Sequence, residues 1–466
     1  MKKAIILSLL FCFLTTMPNA VNTVYAADWL TLIGTEPAGR DFKLWGIIQT
    51  QYVHDYGDSL EGLTGKAAKN NGKLVVKNTV GPWHDEREDF SIRRLRAGVR
   101  GKFTGRFKNS FTEKMNYFFM VEAGQNRMTY EALGDRVRPV ALSDIFLTFN
   151  HIPGMRIQTG LFKNPGPEET MQPAGFLGDY VQFTDFMGKE YLELFSKGNA
   201  PTFPSSEGGQ PEIIGVPQTT SYGFSAARDW GVQAFNTLKV HNKWDISWAF
   251  KLGRGESIST FHAENHIPEV YLYSSAEYKL PGGKGPAAHG IKFYSWFQGG
   301  QRTFSTDPED RDFDRYRYGL GSKVLGKFMG LKQRLTFDFM LADGMIFLST
   351  TGKVKGGFLQ YATDTGNRTR GITVDYGIYI RKWQLNYRWH WHDILYDTDG
   401  RVWTNEDHRI ATEHTVGLRY NFTKKIRIIC DFMIQDVKAP DNEEHNVVTT
   451  LDSVGNRVAV QFTWIL

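Results

Sequence analysis

Apolar and polar residues alternate along residues 91–103. Every second residue from Leu95 to Phe103 is apolar or glycine. Four cations lie between them: Arg94, Arg96, Arg100 and Lys102. Because successive side chains of a strand point to opposite faces, this pattern predicts a strand with one apolar and one cationic face. A soluble core cannot bury such a row of charges, whereas the wall of a membrane barrel has lipid outside and water inside.

Similar alternation recurs along the whole chain, in segments separated by polar or turn-forming connections. The predicted strands are 42–54, 90–104, 113–125, 137–150, 155–163, 225–238, 243–254, 269–280, 290–302, 311–326, 330–343, 369–381, 383–396, 411–423, 425–437 and 456–466. An even strand number with alternating short and long connections is typical of outer-membrane barrels. We therefore predict an all-β fold, a transmembrane antiparallel barrel of about sixteen strands.

The connections differ in length and composition. Short ones with turn residues are predicted at 151–154, 240–242, 326–330 and 423–425, and long polar ones near 55–89, 164–224, 344–368 and 438–455. The segment 164–224 is the longest and contains Phe176, Phe183, Phe186, Leu192 and Phe195. A loop of this length with apolar residues usually folds, and the space inside a barrel is its lumen. We predict that it turns inward and narrows the pore.

The N-terminus predicts export. Lys2 and Lys3 precede an apolar stretch and a small-residue cleavage site at 24–26, so residues 1–26 are predicted to be a cleaved signal peptide and 27–466 a single barrel domain. Of the two cysteines, Cys12 lies in the signal peptide and only Cys430 would remain. One cysteine makes no internal disulfide, zinc cluster or haem attachment motif, so no cofactor is predicted.

Composition narrows the function classes. No apolar run of about 18 residues follows the signal peptide, which excludes a helical membrane protein. The net charge of +5 is mild, and an exported protein does not meet nucleic acid. Local motifs of hydrolases and phosphate-binding loops are missing from the sequence, so an enzyme is not predicted.

A second row of cations resembles the first. Arg311, Arg315, Arg317 and Lys323 share one strand face. Guanidinium groups bind oxyanions through paired hydrogen bonds and stay charged, so a row of them offers an anion successive sites. The predicted anion-binding residues are Arg94, Arg96, Arg100, Lys102, Arg315 and Arg317. The alternative is a lumen of mixed charge, because several acids also fall on inward faces: Glu122, Asp144, Asp338, Asp375 and Asp431.

Two groups of histidines are candidate metal ligands. His390 and His392 share a strand face with Arg388, but a third ligand is not evident, and a place in the barrel wall is the better interpretation. His262, Glu264 and His266 lack the residue order of a zinc protease. No metal site is predicted.

The segment 93–103 resembles the phosphate-selective porin O and P family. Further segments that resemble it follow in the expected order: 142–147, 157–165, 228–233 and 415–422. The resemblance implies a sixteen-stranded, commonly trimeric barrel that passes anions through an arginine-lined pore narrowed by the third extracellular loop. The matching basic positions are Arg93, Arg94, Arg96 and Lys163. Acids in the long loop depart from the family and predict a less cationic constriction: Glu168, Glu169, Asp179, Asp185 and Glu190.

These observations predict a porin in the Gram-negative outer membrane for passive diffusion of small hydrophilic solutes. Inorganic oxyanions, phosphate first, are the expected solutes, and the expected partners are membrane lipid, lipopolysaccharide and two further copies of the chain. The alternative is a barrel sheath around a multihaem cytochrome, with that cytochrome as partner. A neighbouring gene that encodes many Cys-x-x-Cys-His motifs would favour the sheath.

Overall fold

The computed structural model describes residues 42–74, 88–103, 107–124, 140–172, 178–192, 202–203, 212–213, 227–255, 267–283, 288–303, 312–348, 360–400 and 403–466. Sixteen long strands dominate these residues. They are β1 (Lys43–Asp55), β2 (Glu88–Lys102), β3 (Met115–Ala123), β4 (Ala141–Ile152), β5 (Met155–Lys163), β6 (Arg228–Val240), β7 (Trp244–Gly253), β8 (Glu269–Lys279), β9 (Gly290–Thr303), β10 (Asp312–Phe328), β11 (Leu331–Asp343), β12 (Arg368–Ile380), β13 (Trp383–Asp397), β14 (Arg409–Asn421), β15 (Ile426–Lys438) and β16 (Arg457–Ile465).

The strands form one closed barrel. Each strand is antiparallel to the next along the chain, and β16 closes the ring by pairing with β1. The predicted fold class is therefore confirmed, and each predicted strand corresponds to one observed strand with bounds that differ by at most four residues. The predicted signal peptide lies outside the described residues, as do Arg311, His262, Glu264 and His266.

The short turns all lie at one rim of the barrel, which we call the turn rim. Between β10 and β11, Met329 and Gly330 have φ values of 50° and 79°, so two left-handed residues reverse the chain. Because the strand number is even, β1 begins and β16 ends at this same rim. The long connections lie at the opposite rim, which we call the loop rim.

The two faces of the wall differ in chemistry. Outward residues such as Leu95, Val416 and Leu418 are 43–46% exposed, and their inward neighbours are polar. Slipping one of these strands by one residue would exchange the faces, so the pattern fixes the register. Nine outward positions are predicted to face lipid from the alternation. Leu95, Val416, Leu418 and Phe422 are exposed, and Val99, Phe103, Tyr420, Val460 and Phe462 are half-buried.

Helices are short in the described part of the chain. They are the α-helices Glu168–Met171 and His445–Asp452, the 3-10 helices Gly65–Asn70, Thr112–Lys114 and Asn405–Asp407, and the π-helix Met187–Tyr191. None of these described helices has the length and apolar character needed to cross a membrane. Four further strands form a small separate sheet: Thr202–Phe203, Glu212–Ile213, Ile346–Leu348 and Gln360–Ala362.

Part of the long loop lies inside the barrel. We call residues 164–172 and 178–192 the inserted segment. Phe186, Met187 and Tyr191 are at most 4% exposed and belong to an apolar cluster with inward residues of the wall, among them Trp296 and Met340. Burial of these three side chains stabilises the segment in the lumen, by roughly 1.5–3 kcal/mol for each large side chain.

Candidate pore constriction

A β-bulge places two consecutive arginines of β2 at the lumen. Gln49 pairs with Arg94, and Thr50 pairs with Ile92, so Arg93 is the additional residue of the bulge. Strict alternation would point Arg93 outward with Leu95. Because the bulge shifts the register by one residue, Arg93 is instead buried and lines the same cavity as Arg94.

Five cations form one side of this cavity, which we call the basic wall. They are Arg93, Arg94 and Arg96 of β2, Lys163 of β5 and Arg228 of β6.

Hydrogen bonds and ion pairs fix three guanidinium groups of the basic wall. Arg94 donates to Gln49 Oε1 at 2.8 Å, and Arg96 Nη2 lies 2.9 Å from Glu122 Oε2. Arg228 Nε lies 2.8 Å from Asp144 Oδ2. Glu122 and Asp144 are the two carboxylates in these contacts. The basic wall therefore sets five cationic side chains along one side of the cavity, where an entering anion would meet them.

Lys163 connects the basic wall to the inserted segment. Its ammonium group donates hydrogen bonds to the carbonyl oxygens of Thr170 at 2.8 Å and Gln172 at 3.0 Å. Carbonyl oxygens carry no net charge, so these bonds orient the ammonium group without neutralising it. Lys163 thus holds the inserted segment in place.

The opposite side of the cavity carries carboxylates on the inserted segment and on β11 and β12, and we call it the acidic wall. Its members are Glu168, Glu169, Asp179, Asp338 and Asp375. Most are paired with cations: Glu168 with Lys292, Glu169 with Arg388, Asp179 with Arg334 and Arg419, and Asp375 with Arg334. Burial raises the pKa of Glu169 above its ordinary value, although Arg388 and Thr184 stabilise its charged form.

Histidines of β13 anchor the inserted segment. His390 Nε2 accepts a hydrogen bond from the backbone N–H of Phe186 at 3.2 Å, and His392 Nδ1 lies 2.8 Å from Asp185 Oδ2. Lys189 Nζ lies 3.0 Å from the same Asp185 oxygen. Both histidines are fully buried, and within the described residues no group of three or more His, Cys, Asp or Glu side chains is arranged to hold a metal ion. Their role in this structure is to position the segment.

The predicted site residues fall into three groups. Arg93, Arg94, Arg96 and Lys163 all line the cavity. Arg315 and Arg317 also point inward, but the inserted segment lies over them and they are fully buried. Arg317 donates to the carbonyl oxygens of Glu190, Gly344 and Met345, and Arg315 donates to Glu190 O and Glu269. These two arginines therefore bind the protein's own backbone at this depth.

Arg100 and Lys102 lie farther toward the turn rim, where both are half-buried, and neither lines the cavity. Three further arginines line the cavity without having been predicted to bind anions: Arg228, Arg334 and Arg388. Arg228 begins the segment 228–233, which resembles the phosphate-selective porin O and P family. Arg334 and Arg388 lie on inward strand faces. The alternation of apolar and polar residues predicts that these arginines point inward. Their convergence on one cavity depends on the inserted segment, which the alternation does not predict.

Comparisons with known proteins agree with the fold. OmpF of Salmonella typhi, in a structure titled as a complex with daunomycin, aligns with a TM-score of 0.50 at 13% identity, over 92% of this chain and 98% of that chain. An anion-selective porin from Comamonas acidovorans aligns with a TM-score of 0.49 at 10% identity, over 91% and 99% of the two chains. OprB of Pseudomonas putida aligns with a TM-score of 0.49 at 8% identity, over 91% and 94%.

At these identities the likeness to OmpF shows a porin-like barrel fold. No family model matches the chain, and no curated protein matches its sequence. The resemblance to the phosphate-selective family therefore stays a prediction.

Proposed function

We propose that the protein is an outer-membrane porin through which small hydrophilic solutes diffuse passively, with a preference for phosphate-type oxyanions. The observation that carries this proposal is the group of five cationic side chains that lines one side of the cavity in the lumen. The apolar outward face and the porin-like barrel fold support an outer-membrane location. We also propose removal of residues 1–26, a barrel domain formed by 27–466, and a homotrimer surrounded by lipid and lipopolysaccharide.

The mechanism requires no conformational step. The cations of the basic wall raise the local anion concentration, because a narrow lumen with low-dielectric walls focuses their field. Arg94, Arg96 and Arg228 are held by neighbouring side chains and need little reorganisation to contact an oxyanion. Since no single residue encloses the anion, it can exchange from one guanidinium group to the next and leave.

The cytochrome-sheath alternative has less support. A sheath must leave room in its lumen for a folded haem protein, whereas the inserted segment packs here against inward residues of the wall. Removing it would expose the apolar cluster around Phe186 and break the contacts of Arg315 and Arg317 with Glu190. A porin needs only the remaining cavity.

The test is the zero-current potential of the reconstituted protein across a salt gradient. The native pore should carry more current by anions than by cations, and phosphate should compete with chloride. The double variant Arg94→Glu, Arg96→Glu should lose or invert this preference, because four units of charge change at the constriction. The matched variant Lys424→Glu, Lys425→Glu makes the same four-unit charge change in the exposed turn between β14 and β15, and it should keep the native anion preference. A cation-selective or closed native pore would overturn the proposal.

A further inference from the structure

The acidic wall contains one carboxylate that differs from the others. Asp338 of β11 accepts a hydrogen bond from the hydroxyl of Tyr294, and none of the described residues forms an ion pair with it. Glu168, Glu169 and Asp375 each lie within 3.2 Å of a cation. Asp338 is therefore the carboxylate of this wall that has no ion-pair partner in the described part of the protein.

The position of Asp338 in the ring sets it across the lumen from the basic wall. β2 and β11 are separated by nine positions in a ring of sixteen strands, close to the eight positions that separate directly opposite strands. Asp338 and the arginines of β2 nevertheless line the same cavity, together with Thr336 and Thr373. One cavity thus has basic side chains on one side and acidic side chains on the other.

We infer that the constriction selects solutes that carry an anionic group and a cationic group, namely small zwitterions of the amino-acid type. The carboxylate of such a solute would face Arg93, Arg94 and Arg96, and its ammonium group would face Asp338. This inference deepens the proposed porin function and rests on it. A simple anion gains from the basic wall and is repelled by Asp338, whereas an oriented zwitterion gains from both walls.

The inference can be tested by the swelling of liposomes that contain the protein. The probes are 4-aminobutyrate, with both groups ionised at about pH 8, and the uncharged 4-hydroxybutyramide of similar size. In the native protein the zwitterion should enter faster than the amide. Asp338→Asn should lower this ratio by at least about threefold, as expected for the loss of one solvent-screened ion pair.

Two further variants serve as controls. Asp338→Glu keeps the charge and should retain most of the native ratio. Asp245→Asn removes an inward carboxylate that is paired with Lys279 near the turn rim, and should leave the ratio unchanged. An unchanged ratio in Asp338→Asn, or an equal loss in Asp245→Asn, would overturn the inference.

The zero-current potential, measured on the same preparations, separates the two proposals. If the native pore is anion-selective but the probe ratio does not depend on Asp338, only the zwitterion inference fails. If the native pore is not anion-selective, the proposed preference of the porin for anions is wrong, whatever the ratio of zwitterion to amide entry. For a selective native pore, Asp338→Asn should also increase the anion preference, because a negative charge leaves the constriction.

Discussion

A glycine of the barrel wall makes room for the inserted segment, and replacing it should release the segment. A Cβ atom at Gly371 of β12 would lie 2.9 Å from Cδ2 of Phe186 and 3.1 Å from its Cβ and Cγ. Phe186 is fully buried in the apolar cluster and cannot shift without disturbing its neighbours. We therefore predict that Gly371→Val expels Phe186 from its place against the wall.

The magnitude follows from two opposing effects. Valine favours a strand over glycine by up to about 1 kcal/mol. Overpacking a filled core costs about 1–3 kcal/mol, and displacing Phe186 loses a further roughly 1.5–3 kcal/mol of apolar burial. The net loss of about 1.5–6 kcal/mol falls on docking of the segment, since the hydrogen bonds between β12 and its neighbours stay intact. A loss of this size shifts the docking equilibrium at least tenfold.

Single-channel conductance and trypsin digestion of liposome-embedded protein test this prediction. Gly371→Val should raise the conductance, and trypsin should cut after Lys189, which is buried in the native protein. Gly326→Val is the matched control, because the nearest atom to a Cβ there is 3.8 Å away. Native conductance and native trypsin resistance in Gly371→Val would refute the reasoning.

Two further predictions concern the loop rim and the outer face. Hydrogen bonds from His408 to Asp393 and to Asp441 raise the pKa of His408. The contribution of His408 to the stability of the fold is therefore complete below the ordinary pKa of 6.5 and is lost as the pH rises through the raised pKa. The difference in melting temperature between the native protein and His408→Gln should therefore shrink from about pH 6 to about pH 9, and a difference that grows would contradict this account. Cys430 is exposed on the outward face of β15, so in liposomes a membrane-soluble maleimide should modify it faster than a charged maleimide. Gln461 lines the cavity, so a Gln461→Cys variant that also carries Cys430→Ser should react with the charged maleimide. Preferential labelling of Cys430 by the charged reagent would show that the register is wrong.

The barrel was predictable because its signal is local. In each strand the alternation of apolar and polar residues distinguishes the outward face from the inward face, as residues 415–422 show. Turn-forming residues indicate where the strands end. A closed ring of antiparallel neighbours then requires no long-range information, since each strand pairs with the next one in sequence. The strand bounds follow the pattern for this reason.

The constriction was less predictable because it depends on contacts between distant residues. Alternation assigned Arg315 and Arg317 to the lumen correctly, but it could not show that Glu190 would cover them. The same applies to the histidines of β13, whose partners Asp185 and Phe186 lie about 200 residues away in the sequence. A side chain's inward direction is a property of its strand, whereas its access to solute is a property of what folds against it.

The bulge in β2 shows how a break in the local pattern creates the functional feature. With perfect alternation, β2 would present Arg94 and Arg96 to the lumen and Arg93 to lipid, where an arginine costs about 2–4 kcal/mol near the midplane. The extra residue between the partners of Gln49 and Thr50 avoids this cost and adds a third guanidinium group to the basic wall. The adjacent residues Arg93 and Arg94 could not both line the lumen within a regular strand, because adjacent side chains point to opposite faces. Deleting one residue at this bulge should therefore lower anion selectivity more than it lowers barrel stability, because the regular ladder that results would lack one cation at the constriction.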